Sequence, residues 1–98
     1  MPVTAISFYR GGTVENVTPL AKKQKALLLK HGVAYRVSRL QTGPNVGDWI
    51  VIVHYADWMA YAKAQDIFAH DPELRQNVTE ISKIVTLISR ELAVDLDL

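Results

Sequence analysis

The stretch WIVIVHY, Trp49 to Tyr55, constrains this chain more than any other part of it. Its β-branched and aromatic residues suit a strand. Side chains along a strand alternate between two faces. Trp49, Val51, Val53 and Tyr55 therefore share one face, and Ile50, Ile52 and His54 share the other. Both faces are mostly apolar, so both need cover. A chain of 98 residues has little material for two covering layers.

Turn residues divide the rest of the chain into elements. Val3 to Arg10 alternates and stops at Gly11-Gly12, a strand followed by a turn. Thr18-Pro19 reads as an N-cap with proline at the first helical position. Leu20, Gln24, Leu27, Leu28 and His31 then recur at helical spacing, with Lys22, Lys23, Lys25 and Lys30 on the far side, and Gly32 closes the helix. Val33 to Thr42 is a second strand, Thr42 to Asp48 a turn cluster, and Trp49 to Tyr55 the third strand. Asp57 caps a helix that carries Trp58, Tyr61, Ala62, Gln65 and Phe68. Asp71 and Pro72 restart helix, striped by Leu74, Val78 and Ile81. Ile84 to Val94 is the fourth strand.

The order is β-α-β-β-α-β over a single domain, residues 1–98. Right-handed crossovers put both helical segments on one face of a four-stranded antiparallel sheet. The expected class is α+β, with a ferredoxin-like arrangement. The helical face takes Leu20, Leu27, Leu28, Trp58, Tyr61 and Phe68, and no element remains for the other face. The fourth strand is expected to be apolar on both sides as well, Val85 and Leu87 opposing Ile84 and Ile88. Soluble monomers rarely expose such a surface. A homodimer through the sheet face is therefore expected, with an interface of roughly 2,000 Å² or more. The tail ELAVDLDL is expected to reach toward the partner.

Composition excludes several functions. Net charge is +1, so no strong field draws in nucleic acid or an anionic membrane. No run approaches the roughly 20 apolar residues of a membrane helix, and MPVTAISFYRGG does not read as a signal peptide. The absence of cysteine removes disulfides, thiolate metal sites and cysteine nucleophiles, and it suits the cytoplasm. YRGG lacks the spacing and lysine of a phosphate loop, and no Ser-His-Asp order stands around a nucleophile elbow. The lysines of the first helix read as its solvated face.

His31, His54 and His70 have no metal-site spacing, so no metal is expected. His31 reads as a helix end and His70 as a solvated junction. His54 stands at a strand end just before Asp57. It is either a structural histidine with its ring nitrogens satisfied, or a general base at the mouth of a pocket. Trp58 and Tyr61 are helical neighbours, serving as core packing or as an aromatic wall for a planar ligand. Tyr9, Tyr35 and Tyr55 carry the same two readings. Arg10, Arg36 and Arg39 are solvated or hold an anionic ligand. The candidate pocket set is His54, Trp58, Tyr61, Tyr35 and Arg36, with His54 as the candidate catalytic residue.

The segment VHYADWMAYAKAQDIFAHDPELRQ, together with the order of elements, resembles the dimeric α+β barrel superfamily. That superfamily includes antibiotic-biosynthesis monooxygenase-like and NIPSNAP-like domains. The chain is most similar to its small bacterial members of unassigned function. The resemblance implies two sheets packed face to face in a homodimer, and a pocket between sheet and helices in each subunit. It also implies cofactor-free oxidation or isomerisation of an aromatic or polyketide-like compound, and no cofactor is expected. Many monooxygenase-like members carry histidine or tryptophan where this chain has Ala64. Haem-degrading members carry asparagine in a first strand that here reads TAISFYR. No catalytic residue is therefore carried over, and haem is not the expected ligand. The alternative is a non-catalytic structural or regulatory homodimer in which the same residues fill a core.

Overall fold

Four strands make one antiparallel sheet: β1 (Val3–Arg10), β2 (Ala34–Arg39), β3 (Trp49–Tyr55) and β4 (Thr86–Val94), in the order β2-β3-β1-β4. Three helices, α1 (Val14–Leu29), α2 (Trp58–His70) and α3 (Pro72–Ser82), pack on one face. This computed structural model describes residues 1–98. The class is α+β and the topology ferredoxin-like, with the second helical segment split at Asp71.

The first helix starts earlier than Thr18-Pro19 suggests. Thr13 is the N-cap: its hydroxyl accepts from the Asn16 amide at 3.2 Å, and Asn16 Oδ1 accepts from the Thr13 amide at 2.7 Å. This reciprocal box satisfies two end donors, so nucleation moves upstream. Pro19 then lies inside α1, where its ring costs the helix one hydrogen bond. β2 ends at Arg39 rather than Thr42, because the chain turns through Gly43 and Gly47 with φ of 97° and 91°. β4 starts at Thr86 rather than Ile84, because the amides of Ile84 and Val85 still bond to Ile81 at the end of α3. The expected caps of α2 and α3 hold: Asp57 accepts from the Ala60 amide, and Asp71 from those of Glu73 and Leu74.

His31 ends α1 as expected and also gains a partner. Its Nε2 lies 3.0 Å from Asp71 Oδ2, which ties the end of α1 to the start of α3. His31, then the backbone donors, hold the Asp71 carboxyl below its ordinary range.

Gly12 sets the angle between β1 and α1. Its φ is +71°, and a Cβ there would lie 2.7 Å from Val17 Cγ2 and 3.2 Å from Val85 Cγ1. Valine side chains are stiff about χ1 and do not yield cheaply. Gly12→Ala is expected to lower stability by about 1–3 kcal/mol, read as a lower urea midpoint. An unchanged midpoint would show that the turn relaxes freely.

The core lies between sheet and helices and consists of Val3, Ala5, Leu27, Leu28, Val33, Tyr55, Ala64 and Leu74. Strand parity fixes the other side. Thr4, Ile6 and Phe8 of β1 and Ile50, Ile52 and His54 of β3 pair across the face that carries no helix. That face is less uniformly apolar than expected. Ile6, Phe8, Ile50 and Ile52 form its centre, while Arg36 and Ser38 flank it on β2 and Ser89 and Glu91 on β4. Ile84 and Val85 precede the strand, and an irregularity at Phe8/Tyr9 leaves Ile88 out of register. The tail folds back at its start: the Asp95 amide donates to the Pro2 carbonyl at 3.0 Å.

Candidate functional site

The helices stand away from the centre of the sheet and leave a cavity of about 750 Å³. Its floor is built from alternate residues of all four strands: Ala5, Ser7 and Tyr9; Tyr35 and Val37; Trp49, Val51, Val53 and Tyr55; and Leu87 and Arg90. Ala5 and Ser7 are the shortest of these, and they sit on a central strand. The floor is therefore dished at its middle. Leu20, Gln24 and Leu28 of α1, Tyr61, Gln65 and Phe68 of α2, and Leu74 and Val78 of α3 form the roof.

Polar groups are few, and none is acidic. Arg90 lies directly across from Ser7 in the β1–β4 register, and its Nε donates to Ser7 Oγ at 3.2 Å. No carboxylate pairs with Arg90. Gln65 Nε2 makes a long bond, 3.5 Å, to the Tyr55 hydroxyl. Burial raises the Tyr55 hydroxyl above its ordinary value, and the Arg90 charge opposes this weakly. Burial, with Tyr9 nearby, raises the Tyr35 hydroxyl strongly. Both tyrosines stay protonated and remain donors near neutrality. The lining holds Arg90 and Arg75 but no aspartate, glutamate, lysine or histidine. An apolar chamber with donors and cations and no carboxylate favours a ligand that presents acceptor or anionic oxygen.

The sequence candidates divide. Tyr35 and Tyr61 line the cavity. Tyr61 also stacks edge to face on Tyr55 at 5.1 Å and on Trp58 at 5.9 Å. Trp58 is 50% exposed and lies outside the lining, because the first residue of α2 rides on the rim rather than on the core face. His54 is not in the cleft. Val53 and Tyr55 point to the helices, so parity turns His54 to the open sheet face, where its Nδ1 lies 3.1 Å from Thr4 Oγ1. Arg36 pairs with Ile52 and shares that open face. From the edge strand it reaches only a shallow groove beside Lys22 and Lys25 of α1. Ala64 is buried in the core. Sequence reasoning missed Ser7, Gln65 and Arg90 as a group. The signal for Arg90 was hidden by the irregularity between Phe8 and Tyr9, which shifts β4 by one residue and brings Arg90, still exposed at the sheet edge, to the helical side.

No model of a known protein family matches the sequence, and no curated protein does. Solved structures do match, along nearly the whole chain. The likeness is one of fold, a ferredoxin-like α+β arrangement. The chain is similar to a variant of SnoaB, a cofactor-independent oxygenase from Streptomyces nogalater, with a TM-score of 0.76 at 14% identity, over 99% of this chain and 95% of that one. Rv0793 from Mycobacterium tuberculosis gives 0.70 at 13% identity, over 99% and 97%. A protein of unknown function from Bacteroides thetaiotaomicron, described as a possible oxidoreductase, gives 0.68 at 17% identity, over 94% and 95%.

Proposed function

We propose that this protein is a homodimer whose cavity binds an aromatic or polyketide-like small molecule bearing ketone, enol or phenol oxygen, and oxidises or isomerises it without a cofactor. The observation that carries this reading is the apolar cavity with Arg90 on its floor and no carboxylate in its lining. A cation beside a bound enol or phenol favours its ionised form. An ionised, electron-rich ring is the form that reacts with dioxygen or shifts a proton. The likeness to a cofactor-independent oxygenase supports the same direction. The cytoplasm is the proposed location, in keeping with the absence of cysteine. No helix is long and apolar enough to cross a membrane.

A second reading is binding without turnover. It is favoured by one observation: the cavity offers no histidine or carboxylate as a base. Titration with 9-fluorenone, followed through tryptophan emission from Trp49 on the floor, tests the cavity. One site per chain is expected, and no binding up to the probe's solubility limit would overturn both readings. Oxygen uptake over a panel of hydroxylated polycyclic ketones then separates them. Uptake with product formation supports the enzyme, and binding with no change in any compound supports the binding protein.

A further inference from the structure

Asn77 is the one polar side chain buried between α1 and α3, at 1% exposure. Its Nδ2 donates to the Leu20 carbonyl at 3.1 Å and to Gln24 Oε1 at 2.8 Å. A backbone carbonyl can only accept, so the nitrogen of the Asn77 amide must face Leu20. That orientation fixes the next group. Gln24 must present its oxygen to Asn77, since a reversed amide would set NH2 against NH2. Both hydrogens of Asn77 are then spent, and its Oδ1 is left buried with no partner. Packing alone would favour leucine here, since an unpaired buried acceptor is costly. The arrangement leaves a useful residue: Gln24 lines the cavity, and its Nε2 has no partner in the protein.

We propose that Asn77 is a positioning residue that turns the Gln24 amide so that its N–H groups face the cavity and donate to a carbonyl oxygen of the ligand. This rests on the cavity reading above and narrows it. The ligand carries an acceptor oxygen on the side that meets the helical roof, in addition to any oxygen held from the floor by Arg90. Gln24 selects for a ketone or quinone oxygen over a C–H of the same shape.

The probes are fluorene and 9-fluorenone, tricyclic compounds of nearly one shape that differ by a single carbonyl oxygen. Affinity for both is read by tryptophan emission in the unsubstituted chain and in three variants. In Gln24→Leu and in Asn77→Leu, the preference for fluorenone over fluorene is expected to fall about three- to tenfold, the worth of one net hydrogen bond. Fluorene affinity itself is expected to stay within about twofold. Gln24→Glu keeps an acceptor for Asn77 but offers the cavity a carboxylate, so the preference falls at least as far. Should Asn77→Leu not fold, Gln24→Glu, at a partly buried position of α1, carries the test. If both probes bind and the preference is the same in every folded variant, Asn77 is structural only and the proposal is overturned. If neither probe binds the unsubstituted chain, the cavity reading falls and this one with it.

Discussion

Ile52→Asp is expected to abolish the proposed dimer: light scattering at micromolar concentration should give the 11.0 kDa mass of one chain, where the unsubstituted chain is expected to give twice that. The expectation follows from the shape of the fold. The chain is a slab of 36 × 34 × 18 Å, one layer of sheet under one layer of helices. Ile52 stands on the open side between Ile6 of β1 and Arg36 of β2. With Phe8 and Ile50 it makes the apolar centre of a face that no segment of the chain covers. A second copy meeting it about a two-fold axis would bury an area in the obligate range, roughly 2,000 Å² in total. The flanking Ser38, Ser89, Arg36 and Glu91 then form a polar rim. An aspartate at position 52 puts one carboxylate from each copy into the dry centre. Desolvating each costs on the order of several kcal/mol, which Arg36 across the strand pair offsets only in part. A dimer that persists at the same concentration would place the interface elsewhere. An unsubstituted chain that scatters as a monomer would remove the dimer altogether.

Arg90→Leu is expected to weaken binding of 2-naphthoate by roughly tenfold to a hundredfold, the range of a hydrogen bond to a charged group. Binding of neutral naphthalene should change little. Leucine keeps most of the volume, and the lost Ser7 contact is a single bond at 3.2 Å. Arg90→Lys should retain part of the discrimination, because it keeps the charge but loses the planar fork. Tryptophan emission titrations on folded protein, checked by circular dichroism, read the result. Equal losses for the anionic and the neutral probe would mean that the substitution deforms the cavity rather than removing a charge. No loss for either would take Arg90 out of ligand binding.

The elements were legible because their signals are local. Alternation in Val3–Arg10 and Trp49–Tyr55, the acidic caps Asp57 and Asp71, and Pro72 after its cap each act within a few residues. The start of α1 was misread because two caps compete, and the box of Thr13 with Asn16 outweighs a proline that a helix can absorb. The parity of His54 was legible from its strand, yet the residue was assigned to the helical face because it precedes the turn to α2. Parity decides, and His54 faces outward with Thr4. The cavity was implied by the resemblance and not by any pattern of residues. It depends on how far three helices stand from the sheet and on two short residues, Ala5 and Ser7, meeting them at the centre. No sequence pattern carries that distance.

The irregularity in β4 has a consequence for descent with modification. Beyond it, Arg90 pairs with Ser7 and Glu91 with Ile6. Carried on from Tyr9 and Leu87 with Ile88 paired to Phe8, strict pairing would set Arg90 against Ile6 and Glu91 against Ala5. The same letters would then give a chamber with a carboxylate on its floor and a guanidinium on the outer sheet. The sign of the chamber is thus a matter of backbone phase as much as of residue identity. In descent, a change elsewhere that straightens the bulge while Ile88 is kept would exchange the cation on the floor for a carboxylate, with no substitution at any lining position.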